Sequence, residues 1–238
     1  MAVNIDAVYQ KVLALINKEQ RGYLTPQDFN LLADRAQMEI FESYFHSLKN
    51  DYHRLKNNIN YADNAEMDLE NLHPFESSET SSVGTNGLIS TLPSDLYRIK
   101  NVQREQSDGT SKEVDEVTEK ELIDILNNPL LTPTEKRSIY VRVVSTLGQA
   151  LRIYPAPTTT SNLTIKYFKR PTKPEWAYIV VNGKALLNVG EAVNFTLNPS
   201  EEENLVTKIL ELTGIIIQKP GIVEIAASQE ARTKQQNN

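Results

Sequence analysis

Apolar side chains near the start of the chain recur at the spacing of one helical face. A first helix is predicted over residues 5–19, on the positions Ile5, Val8, Val12, Leu15 and Ile16. A second and longer helix is predicted to begin at Thr25, whose hydroxyl can cap free backbone amides, with Pro26 as a favourable first helical residue. Its apolar positions keep the helical period for about six turns, as far as Leu48. Residues 1–56 are therefore predicted to form an N-terminal helical region.

The middle of the chain shows the shorter period of strands. Most of the predicted strands are rich in β-branched or aromatic residues, and they span 88–92, 96–104, 139–144, 150–154, 163–168, 178–181 and 184–187. Asn182 and Gly183 between the last two form a strong hairpin turn, since both positions tolerate positive φ. One short helix is predicted at 119–126, where Thr118 and Glu121 have the spacing of a capping box. We therefore expect a small antiparallel sheet or barrel.

Two stretches lack this regularity. Residues 57–87 are rich in Asn, Asp, Glu and Ser, and we expect a long loop or an arm that becomes ordered on assembly. Toward the C-terminus a helix is predicted from Ser200, because Ser200 and Glu203 have the spacing of another capping box. Pro220 breaks this helix, and residues 222–238 are expected to begin as a helix and then fray.

These elements together predict an α+β fold class. Long helices would pack with a small antiparallel β-sheet or barrel, and an extended segment would follow at the C-terminus. We expect one compact domain overall. Its predicted regions are the N-terminal helices (1–56), the long loop or arm (57–87), the β-rich region (88–198), and the C-terminal helix and tail (199–238).

Composition excludes several classes of protein. The chain has no cysteine, so disulfides, thiolate nucleophiles and thiolate metal sites are ruled out. Its first 20 residues are amphipathic and charged, unlike an apolar export signal. The apolar runs are far shorter than the roughly 20 residues that cross a bilayer. We therefore expect a soluble protein that is made in a cytoplasm.

The side chains that could perform chemistry are not arranged for it. His46 and His53 lie seven positions apart, which on one helix separates them by about 10 Å, too far to share a metal ion. His73 precedes a proline in a predicted loop. The sequence shows no phosphate-binding glycine loop and no carboxylate motif of recognisable role. We therefore predict no catalytic residue, no cofactor, no metal and no enzyme activity; an unrecognised carboxylate site stays open as an alternative.

Charge is distributed unevenly along the chain. The net charge is −6, yet residues 136–184 contain nine basic residues and one acidic residue, which gives +8 for that segment and −14 for the remainder. Identical subunits can meet head to tail through surfaces of opposite charge. Aromatic residues are interleaved with the basic ones, and this allows two interpretations. Single-stranded nucleic acid could stack on the rings, or the strands could turn the rings inward and the charges outward. We favour the second.

The candidate interface combines the basic segment with the acidic start of the C-terminal helix. Three adjacent glutamates there are also explained by the positive end of the helix dipole. The candidate interface residues are Arg152, Lys166, Lys169, Arg170, Lys173, Trp176, Glu201, Glu202 and Glu203.

Several stretches of the sequence match the pattern of one group of phage proteins. They cover residues 9–13, 20–26, 92–99, 153–155, 167–176 and 195–203. On these stretches the chain resembles the neck ring proteins of crAss-like and marine phages, which are similar to the head-to-tail adaptors (tail tubular A-like proteins) of short-tailed phages.

The resemblance implies a virion structural protein. It would be one subunit of an oligomeric ring, commonly twelvefold in this class, in the phage neck, where it connects portal to tail and allows DNA to pass. The implied partners are further copies of the chain, the portal protein and other neck or tail proteins, with no membrane and no specific binding of DNA. The alternative from the residues alone is a single-stranded nucleic-acid-binding module that uses the basic aromatic strands of 136–184.

Overall fold

The structure is a computed structural model that describes residues 2–18, 24–55, 69–90, 92–105, 109–146, 148–158 and 161–216. It confirms the α+β class. The helices are α1 (Ile5–Lys18), α2 (Pro26–Leu55), α3 (Glu119–Asn127) and α4 (Glu202–Ile216), with 3-10 turns at His73–Phe75 and Pro199–Glu201. The strands are β1 (Glu76–Val83), β2 (Leu88–Ile89), β3 (Leu96–Glu105), β4 (Ser111–Glu116), β5 (Ile139–Ser145), β6 (Gly148–Tyr154), β7 (Ser161–Lys169), β8 (Tyr178–Val181) and β9 (Lys184–Leu187).

Contacts within the chain form two compact units. The helical unit holds the described residues of Met1–Pro74 and Pro171–Asn238, and the barrel unit is Phe75–Arg170. The barrel segment is inserted into the helical one along the chain and buries an apolar core of its own. Local sequence periodicity does not report which distant segments share a core, so this division was not visible from the pattern of residues.

The helical unit is built from α1, α2 and α4. Asn4 caps α1, since its side-chain oxygen accepts hydrogen bonds from the amides of Asp6 and Ala7 at 2.8 and 3.2 Å. Thr25 caps α2 as predicted, accepting from the amide of Asp28 at 3.1 Å. Helix α4 packs against both α1 and α2. The three helices bury large side chains between them, including Val8, Val12, Phe29, Phe41, Leu205 and Ile209.

The predicted start of the last helix is wrong by two residues. Ser200 does not form a capping box with Glu203; instead the side chain of Asn198 accepts from the amide of Ser200 at 3.3 Å. Pro199 then begins a 3-10 turn, and α4 starts at Glu202. An asparagine directly before a proline is a favourable cap, because proline already has the backbone angle of a first helical residue.

The barrel unit is a seven-stranded sheet in the order β1-β7-β3-β4-β5-β6-β2. Its edge strands β1 and β2 contact each other, so the sheet is nearly closed. All neighbours are antiparallel except β4 and β5, which are parallel. Parallel strands need a crossover connection, and here that connection contains α3. The interior is filled by Val83, Val102, Val114, Leu151, Ile153, Leu163, Ile165 and Tyr167.

The prediction of a long loop over 57–87 is wrong for residues 76–83, which form strand β1. This strand pairs along its whole length with β7, from Glu76 opposite Phe168 to Val83 opposite Ser161. Its serines and threonine gave no alternation of apolar residues, so only the partner strand reveals it. Strand β4 was also missed, since Val114 is its single buried residue. Residues 56–68 and 217–238, including the predicted tail 222–238, lie outside the described residues of the chain.

Candidate assembly surface

The predicted interface residues divide between the two units. Arg152 on β6, Lys166 and Lys169 on β7, and Arg170 belong to the barrel unit, and the other five belong to the helical unit. Arg152 and Arg170 are exposed, as is Lys173. The predicted set is therefore divided between the two units of the chain.

Strand β7 places its charges and its apolar side chains on opposite faces. Leu163, Ile165 and Tyr167 point into the barrel core, while Lys166 between them is half-exposed and lies opposite Ser78 of β1. This is the alternation expected of a strand with one buried face. The outer face of β1, β7 and β3 forms a polar depression of about 250 Å³, lined by Glu76, Ser77, Ser78, Lys100, Lys166 and Tyr167.

Tyr167 lines this depression and also belongs to the barrel core. Its ring is 4 % exposed, and its hydroxyl donates to Asp95 at 3.0 Å. Burial, together with the Asp95 carboxylate that accepts this proton, raises the pKa of the Tyr167 hydroxyl. The tyrosine is therefore neutral, and its hydrogen bond joins β7 to Asp95, the residue that precedes β3.

Trp176 is a core residue, in contrast to its predicted place at the interface. Its side chain is 2 % exposed, and its ring centroid lies 4.3 Å from that of Tyr9 on α1. The backbone amide of Trp176 donates to Asn30 on α2 at 2.8 Å, and the Asn30 amide donates back to the Trp176 carbonyl. One helical side chain thus pairs with the extended backbone as a neighbouring strand would.

Gln37, two turns further along α2, also hydrogen-bonds to extended backbone, but it bridges two segments. It is fully buried, donates to the carbonyl of Thr172 at 2.8 Å and accepts from the amide of Thr196 at 2.9 Å. Asn30 and Gln37 therefore hold the extended segment that contains Trp176 on the surface of α2. Sequence reasoning missed both residues, because a polar side chain within a helix looks solvent-facing until the partner backbone is known.

Burial of the aromatic rings separates the two interpretations of the basic segment. Tyr167, Phe168 and Trp176 are buried, and Tyr154 and Tyr178 are half-buried. Base stacking needs ring faces that are open to the ligand. The burial of three of the five rings agrees with the interpretation that the rings face inward.

The glutamates at the start of α4 are held by a neighbouring helix. The amine of Lys11 on α1 lies 2.7 Å from Glu202 and 2.6 Å from Glu203. These hydrogen bonds raise the pKa of Lys11. Glu201 accepts instead from the side chain of Asn204 at 2.8 Å. The acidic start of α4 thus joins α1 to α4, and it also opposes the positive end of the helix dipole.

The histidines and carboxylates gather into no metal site in the regions that the structure describes, as far as groups of three potential ligands are concerned. His46 lies on α2 and His73 in a 3-10 turn, while the side chain of His53 is outside the described set. Of the helices that the structure describes, none is both long and apolar enough to cross a membrane.

Helix α3 exposes an apolar stripe and has no buried residue. The exposed fractions are 61 % for Ile123, 48 % for Leu126 and 93 % for Leu130. The helix is nevertheless well formed, since Thr118 and Glu121 make both hydrogen bonds of the predicted capping box. An ordered helix whose apolar face meets solvent is typical of a protein–protein contact.

The hairpin of β8 and β9 is the second exposed apolar surface. Ile179 is opposite Leu186 and Val181 is opposite Lys184, so these four side chains share one face of the hairpin. Ile179, Val181 and Leu186 are 52 %, 43 % and 49 % exposed. The turn has the predicted geometry, with positive φ at both Asn182 and Gly183.

More than half of the chain matches the model of one known protein family. The model of the SU10 adaptor protein family matches residues 28–179, a span from α2 through the whole barrel unit to the start of β8. A search of curated proteins finds no match. Because the family model covers more than half of the sequence, the chain belongs to the SU10 adaptor protein family and is a structural adaptor of the phage head-to-tail type.

Proposed function

We propose that this protein is one subunit of a ring in the neck of a tailed phage. Copies of the chain associate side by side, connect the portal to the tail and leave a central channel for DNA. The observation that carries this proposal is the family match over residues 28–179. On the resemblance of the sequence to crAss-like neck ring proteins, the ring has twelve copies, and the chain is made in the host cytoplasm before it enters the virion.

The exposed apolar residues support assembly as the role of the chain. Soluble monomers rarely expose contiguous apolar patches of more than a few hundred Å². This chain exposes apolar side chains in two groups on different units, the α3 stripe and the β8–β9 hairpin. Both surfaces suit burial against another protein.

The charge of the chain supports passage of DNA without capture. Phosphate binding depends on Lys and Arg, and this chain has 25 of these against 31 Asp and Glu. The excess of acidic residues lies entirely outside 136–184, where the net charge is −14. We infer that acidic side chains line the channel and repel DNA during its passage, and that the basic segment contacts neighbouring proteins, including the portal and other neck or tail proteins.

Native mass measurement of the full chain, alone and with its portal protein, tests this proposal. We expect a multiple of 26.9 kDa in at least one of the two samples. A subunit that is single when alone and multiple on the portal still agrees, because contacts with the portal bring subunits together. A mass of 26.9 kDa in both samples would contradict the ring.

A further inference from the structure

The apolar stripe of α3 is a rigid, preformed surface. Glu119, Ile123 and Leu126 follow one another at intervals of four and three residues, which places them in one row along the helix, and the exposed Leu130 lies in the turn that follows. The row therefore has an acidic end at the helix N-terminus and an apolar body. Its capping box fixes the helix before any partner arrives, so binding would cost little ordering of backbone.

On the hairpin face, a basic residue at one end is followed by apolar residues, which complements the acidic end and apolar body of the α3 stripe. Lys184 and Val181 lie next to the turn, and Ile179 and Leu186 lie further along the same face. The segment 178–187 contains Lys184 and no acidic residue, whereas α3 contains Glu119, Glu121 and Asp124 against Lys120. An isolated two-stranded hairpin is only marginally stable in water, so a partner that covers its apolar face would also stabilise it.

We propose that the face of the β8–β9 hairpin formed by Ile179, Val181, Lys184 and Leu186 docks on the α3 stripe of the next copy of this chain. Lys184 pairs with Glu119, and Ile179 and Leu186 pack on Ile123 and Leu126. The two surfaces are different regions of one chain, so the contact is heterologous and each subunit uses one surface toward each neighbour. The inference rests on the proposed ring and identifies the contact that closes it.

The size of the two surfaces favours a second copy within a ring over a simple dimer. Each apolar surface consists of three exposed apolar side chains, whereas a standard stable interface buries roughly 800 Å² on each partner, about 20–30 residues. A single contact of this kind is too small to hold two subunits together. A subunit in a closed ring makes the contact twice, and closure makes the contacts mutually reinforcing. Charge complementarity between Lys184 and the acidic helix then fixes the direction of the ring.

The absence of cysteine makes a direct test possible. Two single-cysteine chains, Ile179→Cys and Leu126→Cys, are purified separately, assembled alone or mixed, with portal protein if the portal is needed for the ring, and treated with a short bis-maleimide. We expect a linked product of twice 26.9 kDa in the mixture, at least about tenfold above either chain alone. Mixing separate chains ensures that the product reports a contact between copies.

The outcomes of this test separate the inference from the proposed function. A ring of the expected mass that gives no linked product in the mixture overturns the inference and leaves the ring standing. Equal linking in either single variant alone indicates a contact of like with like and also overturns it. A mass of 26.9 kDa in every sample contradicts the proposed function, and the inference fails with it.

Substitutions provide a second readout. Leu126→Asp is expected to weaken each contact between copies at least about tenfold, because it replaces a half-exposed apolar side chain with a charged one at the place that the neighbour covers. Leu31→Asp is the matched control, because Leu31 is a helical leucine of α2 with 66 % exposure. Lys184→Glu alone should weaken the ring. The double variant, Lys184→Glu with Glu119→Lys, should restore it. If Leu126→Asp leaves the ring intact and releases it from the portal, α3 binds the portal and the inference is wrong.

Discussion

The indole nitrogen of Trp176 donates a hydrogen bond to a carboxylate oxygen of Asp6 at 2.9 Å. The two residues are 170 positions apart, and their bond joins the first turn of α1 to the extended segment that follows the barrel unit. Asp6 also lies where a negative charge opposes the positive end of the helix dipole. This single bond therefore helps to join the two stretches of chain that make up the helical unit, which the barrel segment separates in sequence.

Loss of this hydrogen bond should destabilise the helical unit. Trp176→Phe removes the donor and a portion of a fully packed ring, and we expect the free energy of unfolding to fall by about 2–3 kcal/mol. Asp6→Ala should cost about 1–2 kcal/mol, because the indole N–H is then left without its acceptor. Urea unfolding measures both. The double variant should show a coupling of about 1 kcal/mol, and strictly additive losses would mean that the bond contributes nothing.

Glu116 on β4 should give the barrel unit a stability that depends on pH. Its carboxylate accepts from the Tyr140 hydroxyl at 2.8 Å and from Arg142 at 2.9 Å. Burial alone would raise the pKa of Glu116, but the hydrogen bonds from Arg142 and Tyr140 outweigh it, and the pKa lies below the usual 4.5. A carboxyl group with a lowered folded pKa stabilises the fold above its unfolded pKa and loses that contribution as the pH falls through the folded value.

The difference in unfolding free energy between the natural chain and Glu116→Gln should therefore be constant above about pH 5 and shrink below about pH 4.5. Chemical unfolding at a series of pH values measures it. Glu113→Gln is the matched control, since Glu113 is an exposed acidic residue of the same strand. A difference that grows on acidification would contradict the prediction, because it would require a raised pKa for Glu116.

The buried side chain of Arg104 should contribute more to the stability of the barrel unit than its ion pair with Glu135 does. It is 5 % exposed and lies on β3 opposite Leu163, a residue of the core. Its guanidinium donates to Ser138 at 3.1 Å and lies 4.0 Å from Glu135. Glu135 has a side chain that is 67 % exposed, so solvent screens this pair.

We therefore expect Glu135→Gln to change the unfolding free energy by less than about 0.5 kcal/mol. Arg104→Ala should cost about 2–4 kcal/mol, because it removes a buried side chain and leaves Ser138 without one partner. Thermal unfolding of the two variants side by side measures the contrast. Equal losses in both would assign the stability to the ion pair and refute this explanation.

The sequence predicted the elements whose signals are local. The helix caps at Thr25 and Thr118 and the hairpin turn at Asn182 and Gly183 follow from neighbouring residues alone, and the structure confirms all of them. Strand β1 could not be predicted in this way. Its polar side chains carry no apolar alternation, and it is a strand because β7 supplies backbone partners along its length.

The candidate interface residues show the same difference between local and long-range signals. The alternation of Tyr167 and Lys166 is a local signal, and it predicted the inward ring and the outward charge. Trp176 was placed at the interface because composition cannot tell a buried indole from an exposed one; the partners Asp6 and Asn30 that bury it are 170 and 146 residues away. Helix α3 was predicted from its capping box, but only the structure shows that none of its residues is buried.

Trp176 is the single tryptophan of the chain, so its fluorescence reports directly on the alternative of nucleic-acid binding. Because the ring is 2 % exposed, we expect no change in emission when a single-stranded oligonucleotide is added at low salt, and weak quenching by iodide. Stacking of a base on the indole would quench the emission and would weaken as salt is raised. A control in urea, where the ring becomes accessible to iodide, shows that the probe can respond. Quenching of the folded chain by the oligonucleotide would mean that the basic aromatic strands bind nucleic acid after all.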